Sequence, residues 1–151
     1  MTIENNLILT HLCSSPNTLT PSFTLPLTAE QRVRSHQRII LDDGMIIHFR
    51  LKRGTVLKEG DILGDEKEEI IVKIEAKSEE VITVTASNYL QLMKAVYHLA
   101  NRHIPLEINL DYLRLKPDSV LENMLTQLGL KITLEIKPFY PEIGAYHHHH
   151  E

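Results

Sequence analysis

The fold is decided by residues 81–103, which read VITVTASNYLQLMKAVYHLANRH. The β-branched and apolar run from Val81 to Ala86 predicts a strand, and Ser87 or Asn88 supplies a side chain that caps a helix. The helix is expected to continue to about Arg102, because Pro105 disfavours helical backbone just before it. One line along this helix consists of Leu92, Val96, Leu99 and His103, and another of Tyr89, Met93 and Ala100.

The residues that follow repeat this alternation of strand and helix. Two short strands are predicted at Leu106 to Leu110 and at Tyr112 to Leu115. Asp118 or Ser119 then caps a second helix, and Gly129 stands where glycine terminates one. The apolar face of this helix is formed by Leu121, Met124, Leu125 and Leu128.

The first half of the chain carries only strand and turn signals, from Phe23 to about Ala76. Asp42-Asp43-Gly44 indicates a hairpin, followed by an apolar and β-branched strand over Met45 to Leu51. Lys52-Arg53-Gly54 and the glycines beyond it separate further short strands. This half is therefore expected to be a small all-β module.

With a last strand over Leu130 to Lys137, the second half has the order β-α-β-β-α-β, the ferredoxin-like arrangement. The fold class expected is therefore α+β. We expect a β-rich N-terminal domain over 1–76, a ferredoxin-like domain over 77–142 and a flexible histidine-bearing tail over 143–151.

Composition narrows the function classes. The 151 residues are 42% hydrophobic and carry a net charge of -4, which argues against nucleic-acid binding through overall charge. No apolar run approaches the roughly 18–20 residues of a membrane span, and no N-terminal segment has the pattern of a signal peptide. The single cysteine, Cys13, makes no internal disulfide, which suits the cytosol, so we expect a cytoplasmic protein.

Catalytic motifs are missing from the sequence. Cys13 lies in a polar stretch, and there is no G-x-S-x-G, no phosphate-binding glycine loop and no paired carboxylates at a spacing typical of acid–base catalysis. We therefore expect a protein that is not an enzyme.

Four basic residues recur at alternate positions: Arg32, Arg34, His36 and Arg38. This spacing predicts that all four lie on one face of a strand. The face either binds an anionic ligand or a partner protein, or is simply the solvated side of an antiparallel sheet.

Histidine is the unusual residue, with nine copies. His103 closes the first predicted helix, where the negative end of the helix favours a cation. His98 is five residues away, about 140° around the axis, so the two imidazoles do not chelate one ion. A two-fold dimer that brings together two copies of His103 would make a site, because symmetry repeats the same patch on both subunits.

The other histidine cluster is the terminal run His147, His148, His149 and His150. Short histidine tracts bind nickel, zinc and copper through imidazole nitrogens. A terminal run is also typical of a purification tag, although this one has four histidines and ends in Glu151.

Several segments, read together, resemble one known family. In the first half they are Arg32-x-Arg34-x-x-x-Arg38, Leu41-Asp42-Asp43-Gly44 and Leu51-Lys52-Arg53-Gly54. In the second half they are Tyr97-His98-Leu99-Ala100-Asn101-Arg102-His103-Ile104-Pro105-Leu106 and Phe139-Tyr140-Pro141-Glu142-Ile143-Gly144-Ala145-Tyr146. The chain resembles the UreE family, the urease accessory metallochaperones that deliver nickel.

The resemblance implies a peptide-binding-like N-terminal domain and a metal-binding C-terminal domain that dimerises. The family's interface histidine falls on His103, which would hold one ion with its two-fold mate. Tail histidines, which add ligands or load metal, map to His147, His148, His149 and His150. The family's own histidine-bearing tails favour a native run.

Cargo and partners are likewise implied by the resemblance. The cargo is Ni(II), and imidazole would also accept Zn(II) or Cu(II) in vitro. The partners are a second copy of the chain, extended in some assemblies to a metal-bridged dimer of dimers, together with the GTP-hydrolysing protein UreG and the urease maturation complex. No nucleic acid or membrane is expected.

A second hypothesis is a small regulatory or RNA-binding module without a metal role, because split βαβ folds host both. RNA binding on such a sheet uses aromatic side chains on the strands. The predicted strands offer only Tyr112, which alone is not a stacking platform.

Overall fold

The computed structural model describes residues 6–14 and 20–144. These residues divide into two compact units, one that ends at Ala76 and one over Lys77–Gly144. Each unit buries its own apolar cluster. No helix within the described ranges is long and apolar enough to cross a membrane.

The described residues of the first unit form seven short strands arranged as two sheets. The strands are β1 (Asn6–Leu9), β2 (His11–Leu12), β3 (Phe23–Leu27), β4 (His36–Ile40), β5 (Ile46–Arg50), β6 (Ile62–Gly64) and β7 (Ile71–Ala76). One sheet has the order β1-β5-β4 and the other β2-β6-β7-β3, with β1–β5 and β3–β7 as the parallel pairs. The core between them includes Leu9, Leu27, Phe49, Leu63 and Ile74.

The hairpin predicted at Asp42-Asp43-Gly44 is present. Strands β4 and β5 are antiparallel, and the Asp43 carboxylate accepts a hydrogen bond from the Met45 N–H at 3.0 Å. Gly44 has φ +91°, a left-handed backbone that glycine adopts without steric cost.

The prediction that four basic residues share one face of a strand was wrong for Arg32 and Arg34. Arg32 ends a one-turn helix, α1 (Ala29–Arg32), because Thr28 and Gln31 form a capping box that favours helix over strand. Arg32 is buried, and its Nε donates to the Leu27 carbonyl. Arg34 follows the helix and pairs with Glu30, so only His36 and Arg38 share a face of β4.

The second unit has six elements in the order expected from the sequence. They are β8 (Ser78–Thr85), α2 (Tyr89–Ala100), β9 (Glu107–Ile108), β10 (Leu113–Leu115), α3 (Ser119–Gln127) and β11 (Lys131–Pro138). The sheet has the order β11-β8-β10-β9 with every neighbouring pair antiparallel. The α+β class is therefore confirmed.

Both helices begin at the predicted caps. The Asn88 side chain accepts from the Gln91 N–H, and one Asp118 carboxylate oxygen accepts from two N–H groups of the first turn of α3. Gly129 follows α3 with φ +88°. Helix α2 packs Leu92, Ala95 and Leu99 against the sheet, as part of the core of this unit.

Candidate metal centre

His103 lies just beyond the C-terminal end of α2. The helix ends at Ala100, and the N–H of His103 donates to the Ala100 carbonyl at 3.0 Å. His103 has φ +55°, a left-handed backbone in which histidine is over-represented among non-glycine residues. On a continued helix it would fall on the buried line with Leu92 and Leu99. The earlier helix end instead leaves His103 exposed.

His98 and Arg102 are tied to the helix itself. The His98 ring packs edge-on against Tyr97, with centroids 5.4 Å apart, and His98 is half-buried. The guanidinium of Arg102 donates to the His98 carbonyl at 2.9 Å, one of the orphan acceptors at a helix end. His103 is therefore the more exposed imidazole at this end of α2.

An exposed apolar surface runs along α2. Tyr89, Leu90, Met93 and Tyr97, which we call the α2 stripe, are each at least 60% exposed. Tyr89, Met93 and Tyr97 repeat at every fourth position and so follow one side of the helix. Exposed apolar surface of this kind is typical of protein interaction sites.

The chain leading to the tail is anchored beside the residues that follow His103. Phe139 is buried, and the Tyr140 N–H donates to the Glu107 carboxylate at 3.0 Å. The Glu142 N–H then donates to the Leu106 carbonyl at 2.8 Å. Leu106, which accepts this hydrogen bond, is three positions after His103 in the sequence.

Arg114 lies in a polar network with Glu107, the residue whose carboxylate accepts from the Tyr140 N–H. Its guanidinium lies 3.8 Å from the buried Glu107 carboxylate and 3.5 Å from that of Glu135. The hydrogen bond from the Thr83 hydroxyl is the main cause that holds the pKa of the Glu135 carboxyl below its ordinary value of 4.5. Burial opposes this shift, and the nearby charge of Arg114 adds to it.

Four of the predicted site residues, His147, His148, His149 and His150, lie outside the described residues. The tail expected over 143–151 is described only at Ile143 and Gly144, and both are exposed. Among the described residues, His103 belongs to no group of three ligand side chains. A site built on His103 therefore needs ligands from the tail or from a second copy.

The histidines of the first unit have different surroundings. His48 Nε2 lies 3.0 Å from the Asn6 amide oxygen, and His36 is exposed on β4. His11 instead meets a carboxylate, that of Glu68, and approaches Cys13. Sequence reasoning assigned no ligand role to His11 or Cys13. The signal that it missed is their alternate spacing at the end of a strand, which places both on one side.

Burial raises the pKa of the Cys13 thiol, and the neighbouring Glu68 carboxylate raises it further through its charge and a hydrogen bond. A thiolate at this position is therefore disfavoured unless a cation lies nearby.

Comparisons with known proteins match most of the chain to one family. The model of the UreE urease accessory protein N-terminal domain matches residues 8–86, and that of the C-terminal domain matches residues 79–151. A urease accessory protein UreE from Nostoc sp. is 51% identical, with 95% of this chain and 98% of that protein covered. Its counterpart from Microcystis aeruginosa is 55% identical, with 93% and 89% covered.

More distant relatives carry the same name. The protein from Thermosynechococcus vestitus is 48% identical over 93% of this chain and 98% of its own length. The one from Pseudomonas putida is 41% identical over 93% and 85%. The family consists of accessory proteins of urease rather than enzymes. The chain belongs to the UreE family of urease accessory proteins.

Proposed function

We propose that this chain is a nickel metallochaperone, which binds Ni(II) as cargo and donates it during assembly of the urease active site. The ion is held between two protomers by His103 of each, and the tail histidines add ligands. The observation that carries the proposal is the placement of an exposed His103 at the end of the helix whose outer side is the α2 stripe.

The α2 stripe supports a homodimer. A two-fold interface uses the same patch on both subunits, and apolar side chains that are at least 60% exposed gain the most from being covered. A two-fold axis near Tyr97, at the C-terminal end of the stripe, would bring the C-terminal ends of both α2 helices together. The negative ends of those helices favour a cation there.

Chain length supports a role for the tail. His147 is five positions after Glu142, which is anchored at Leu106. An extended segment of that length reaches about 18 Å, which is enough for the tail histidines to return toward the segment that follows His103. The family match through residue 151 supports a native histidine run.

The ligand set suits delivery. Two interface imidazoles leave coordination positions open, and tail imidazoles can be released one at a time, whereas a closed thiolate cage retains its ion. Imidazole also accepts Zn(II) and Cu(II), so we expect both to bind in vitro. Donation then depends on the partner, for which we propose UreG within the urease maturation complex, in the cytoplasm.

The domain assignment is part of the proposal. The division after Ala76 supports a β-rich domain over 1–76 and a metal-binding domain over 77–142. The strand order β11-β8-β10-β9, with every pair antiparallel, supports the ferredoxin-like arrangement. A cavity of about 810 Å³ in the first unit, lined by Leu7, Phe23 and Met45 among others, supports a peptide-binding-like role.

The regulatory or RNA-binding alternative is not favoured, because the chain belongs to a family of urease accessory proteins. Its sheet also has no aromatic residue on β10 or β11, where single-stranded RNA would stack.

The experiment that tests the proposal uses the nickel-loaded chain as the sole nickel source for nickel-free urease and its accessory proteins. Urease activity should appear with the wild type and with His98→Ala, and should fall strongly with His103→Ala. Equal activity with His103→Ala and wild type would show that delivery does not depend on His103.

A further inference from the structure

Three ligand side chains meet in the first unit, and the proposed nickel site uses none of them. One ligand atom each of His11, Cys13 and Glu68 lies within 4.8 Å of the others. In the part of the chain that the structure describes, no other three His, Cys, Asp or Glu groups come so close. We infer that His11, Cys13 and Glu68 form a second metal site, for a divalent ion of the zinc type.

Strand pairing brings the first two ligands to one edge. His11 lies opposite Gly64 in the antiparallel pair of β2 and β6, and the N–H of Cys13 extends the pairing by donating to the Ile62 carbonyl at 2.8 Å. Positions two apart on an extended chain face the same side. His11 and Cys13 are therefore presented together.

The third ligand comes from the turn between β6 and β7. The Asp65 carboxylate accepts from the Ile70 N–H at 3.1 Å, and the Asp65 carbonyl accepts from the Glu68 N–H at 2.9 Å. Glu68 has φ +56°, an uncommon backbone for this residue type. These two hydrogen bonds fix the turn, so the carboxylate is held beside His11.

Gly64 leaves the space that the ligands occupy. A Cβ at this position would lie 3.1 Å from Cys13 Sγ and 3.3 Å from Glu68 Cγ, both tighter than ordinary contact. A larger residue on this strand would push the thiol and the carboxylate apart.

The His11 ring is oriented for binding. Its Nδ1 forms a hydrogen bond with the Thr10 hydroxyl at 2.8 Å, which leaves Nε2 facing the Glu68 carboxylate at 2.6 Å. Metal-binding histidines are held by this kind of contact at the second ring nitrogen.

The spacing fits a metal with small adjustments. Cys13 Sγ lies 3.8 Å from Glu68 Oε2. A tetrahedral zinc ion with ordinary bond lengths separates its ligand atoms by about 3.3–3.7 Å. The thiol and carboxylate are therefore near this distance, and the imidazole and carboxylate must separate by under about 1 Å. The imidazole and thiol, which lie within 4.8 Å of each other, must approach by up to about 1.3 Å.

The donor chemistry selects the class of ion. Nitrogen, sulfur and carboxylate oxygen together are typical of zinc and related borderline ions, and a divalent charge offsets both a thiolate and a carboxylate. The side chains of His11 and Glu68 are 38% and 45% exposed, whereas Cys13 is buried. The ion would thus have three protein ligands and a fourth position open to solvent.

Cobalt(II) titration of the full, reduced chain tests this site separately from the nickel site. A thiolate bound to cobalt gives a charge-transfer band in the near ultraviolet, and Cys13 is the only cysteine in the sequence. We expect the band to saturate at about one cobalt per chain and to disappear when zinc is added. Neither His103 nor the tail can produce it.

Variants assign the ligands. The band should be lost in Cys13→Ser and should need at least about tenfold more cobalt in His11→Ala and Glu68→Gln. His36→Ala, which removes an exposed imidazole of the same unit, should match the wild type. Circular dichroism checks that each variant is folded. No band at saturating cobalt in the wild type, or an unchanged band in folded His11→Ala and Glu68→Gln, would overturn the site.

Discussion

The Glu142 N–H donates to the Leu106 carbonyl at 2.8 Å, so Glu142 lies beside the segment that follows His103. Residues that are distant in sequence are joined here by a backbone hydrogen bond. The contact fixes the point from which the histidine tail starts. This contact supports a nickel site that combines His103 with the tail histidines.

Removal of that hydrogen bond should weaken the contribution of the tail. Glu142→Pro lacks the N–H donor, whereas Glu142→Ala keeps it and serves as the matched control. A hydrogen bond of this kind contributes about 1 kcal/mol, so we expect up to about fivefold weaker nickel binding in Glu142→Pro. Calorimetric titration measures the change. Equal nickel affinities in the two variants would show that the hydrogen bond from Glu142 to Leu106 does not contribute to nickel binding.

A charge on the α2 stripe should dissociate the dimer. Met93→Lys places a cation in the proposed interface twice, once in each protomer. Loss of two buried methionine contacts costs about 3 kcal/mol or more, which weakens dimerisation at least about a hundredfold. Analytical ultracentrifugation at several protein concentrations measures whether each variant has the mass of a monomer or of a dimer.

The control for this experiment is Gln127→Lys, which adds the same charge at an exposed position of α3 outside the stripe. It should remain dimeric. A wild type that is monomeric without metal, or a Met93→Lys protein with an unchanged mass, would argue against the α2 interface.

Acid should release nickel from the proposed site. Imidazole binds a metal only in its neutral form, and protonation competes with the ion. We therefore expect tighter binding at about pH 7.5 than at about pH 5.5, by at least about tenfold. Calorimetric titration at the two pH values tests this. The same affinity at both would exclude imidazoles as the principal ligands.

The Glu135 carboxylate should make the free energy of unfolding depend on pH in the acidic range. Its pKa is lowered in the fold, chiefly by the Thr83 hydroxyl, so the ionised form favours the folded state. This contribution is present above the ordinary value of 4.5 and is lost as the pH falls below it. The free energy of unfolding of the wild type should therefore fall more steeply in that range than that of Glu135→Gln.

Glu80→Gln is the control for this measurement, since Glu80 is an exposed glutamate on β8 of the same sheet. It should follow the wild type in urea unfolding at each pH. Parallel curves for wild type and Glu135→Gln would assign the acid dependence to other groups.

Local sequence signals predicted much of the second unit. Asn88 and Asp118 cap their helices because their side chains accept backbone N–H groups of the first turn, which depends on neighbouring residues alone. The same kind of signal was overlooked at Thr28, where a capping box starts a helix and removes Arg32 from the expected basic face.

Other features depend on contacts that the sequence pattern does not show. The exposure of His103 follows from an earlier helix end and a left-handed residue, whereas helical periodicity alone placed it on one line with Leu92 and Leu99, which the fold buries. The cluster of His11, Cys13 and Glu68 requires β2 to pair with β6 and the following turn to fold back, across more than 50 positions in sequence. Spacing within one segment carries no information about such pairing.

The number of nickel ions retained per dimer tests the central claim most directly. Native mass spectrometry at limiting nickel should show about one tightly held ion per dimer in the wild type and in His98→Ala, because one two-fold site is shared by both subunits. His103→Ala should remain folded and lose this ion. Retention of the ion by dimeric His103→Ala would contradict the account, because the tightest site would then lie elsewhere.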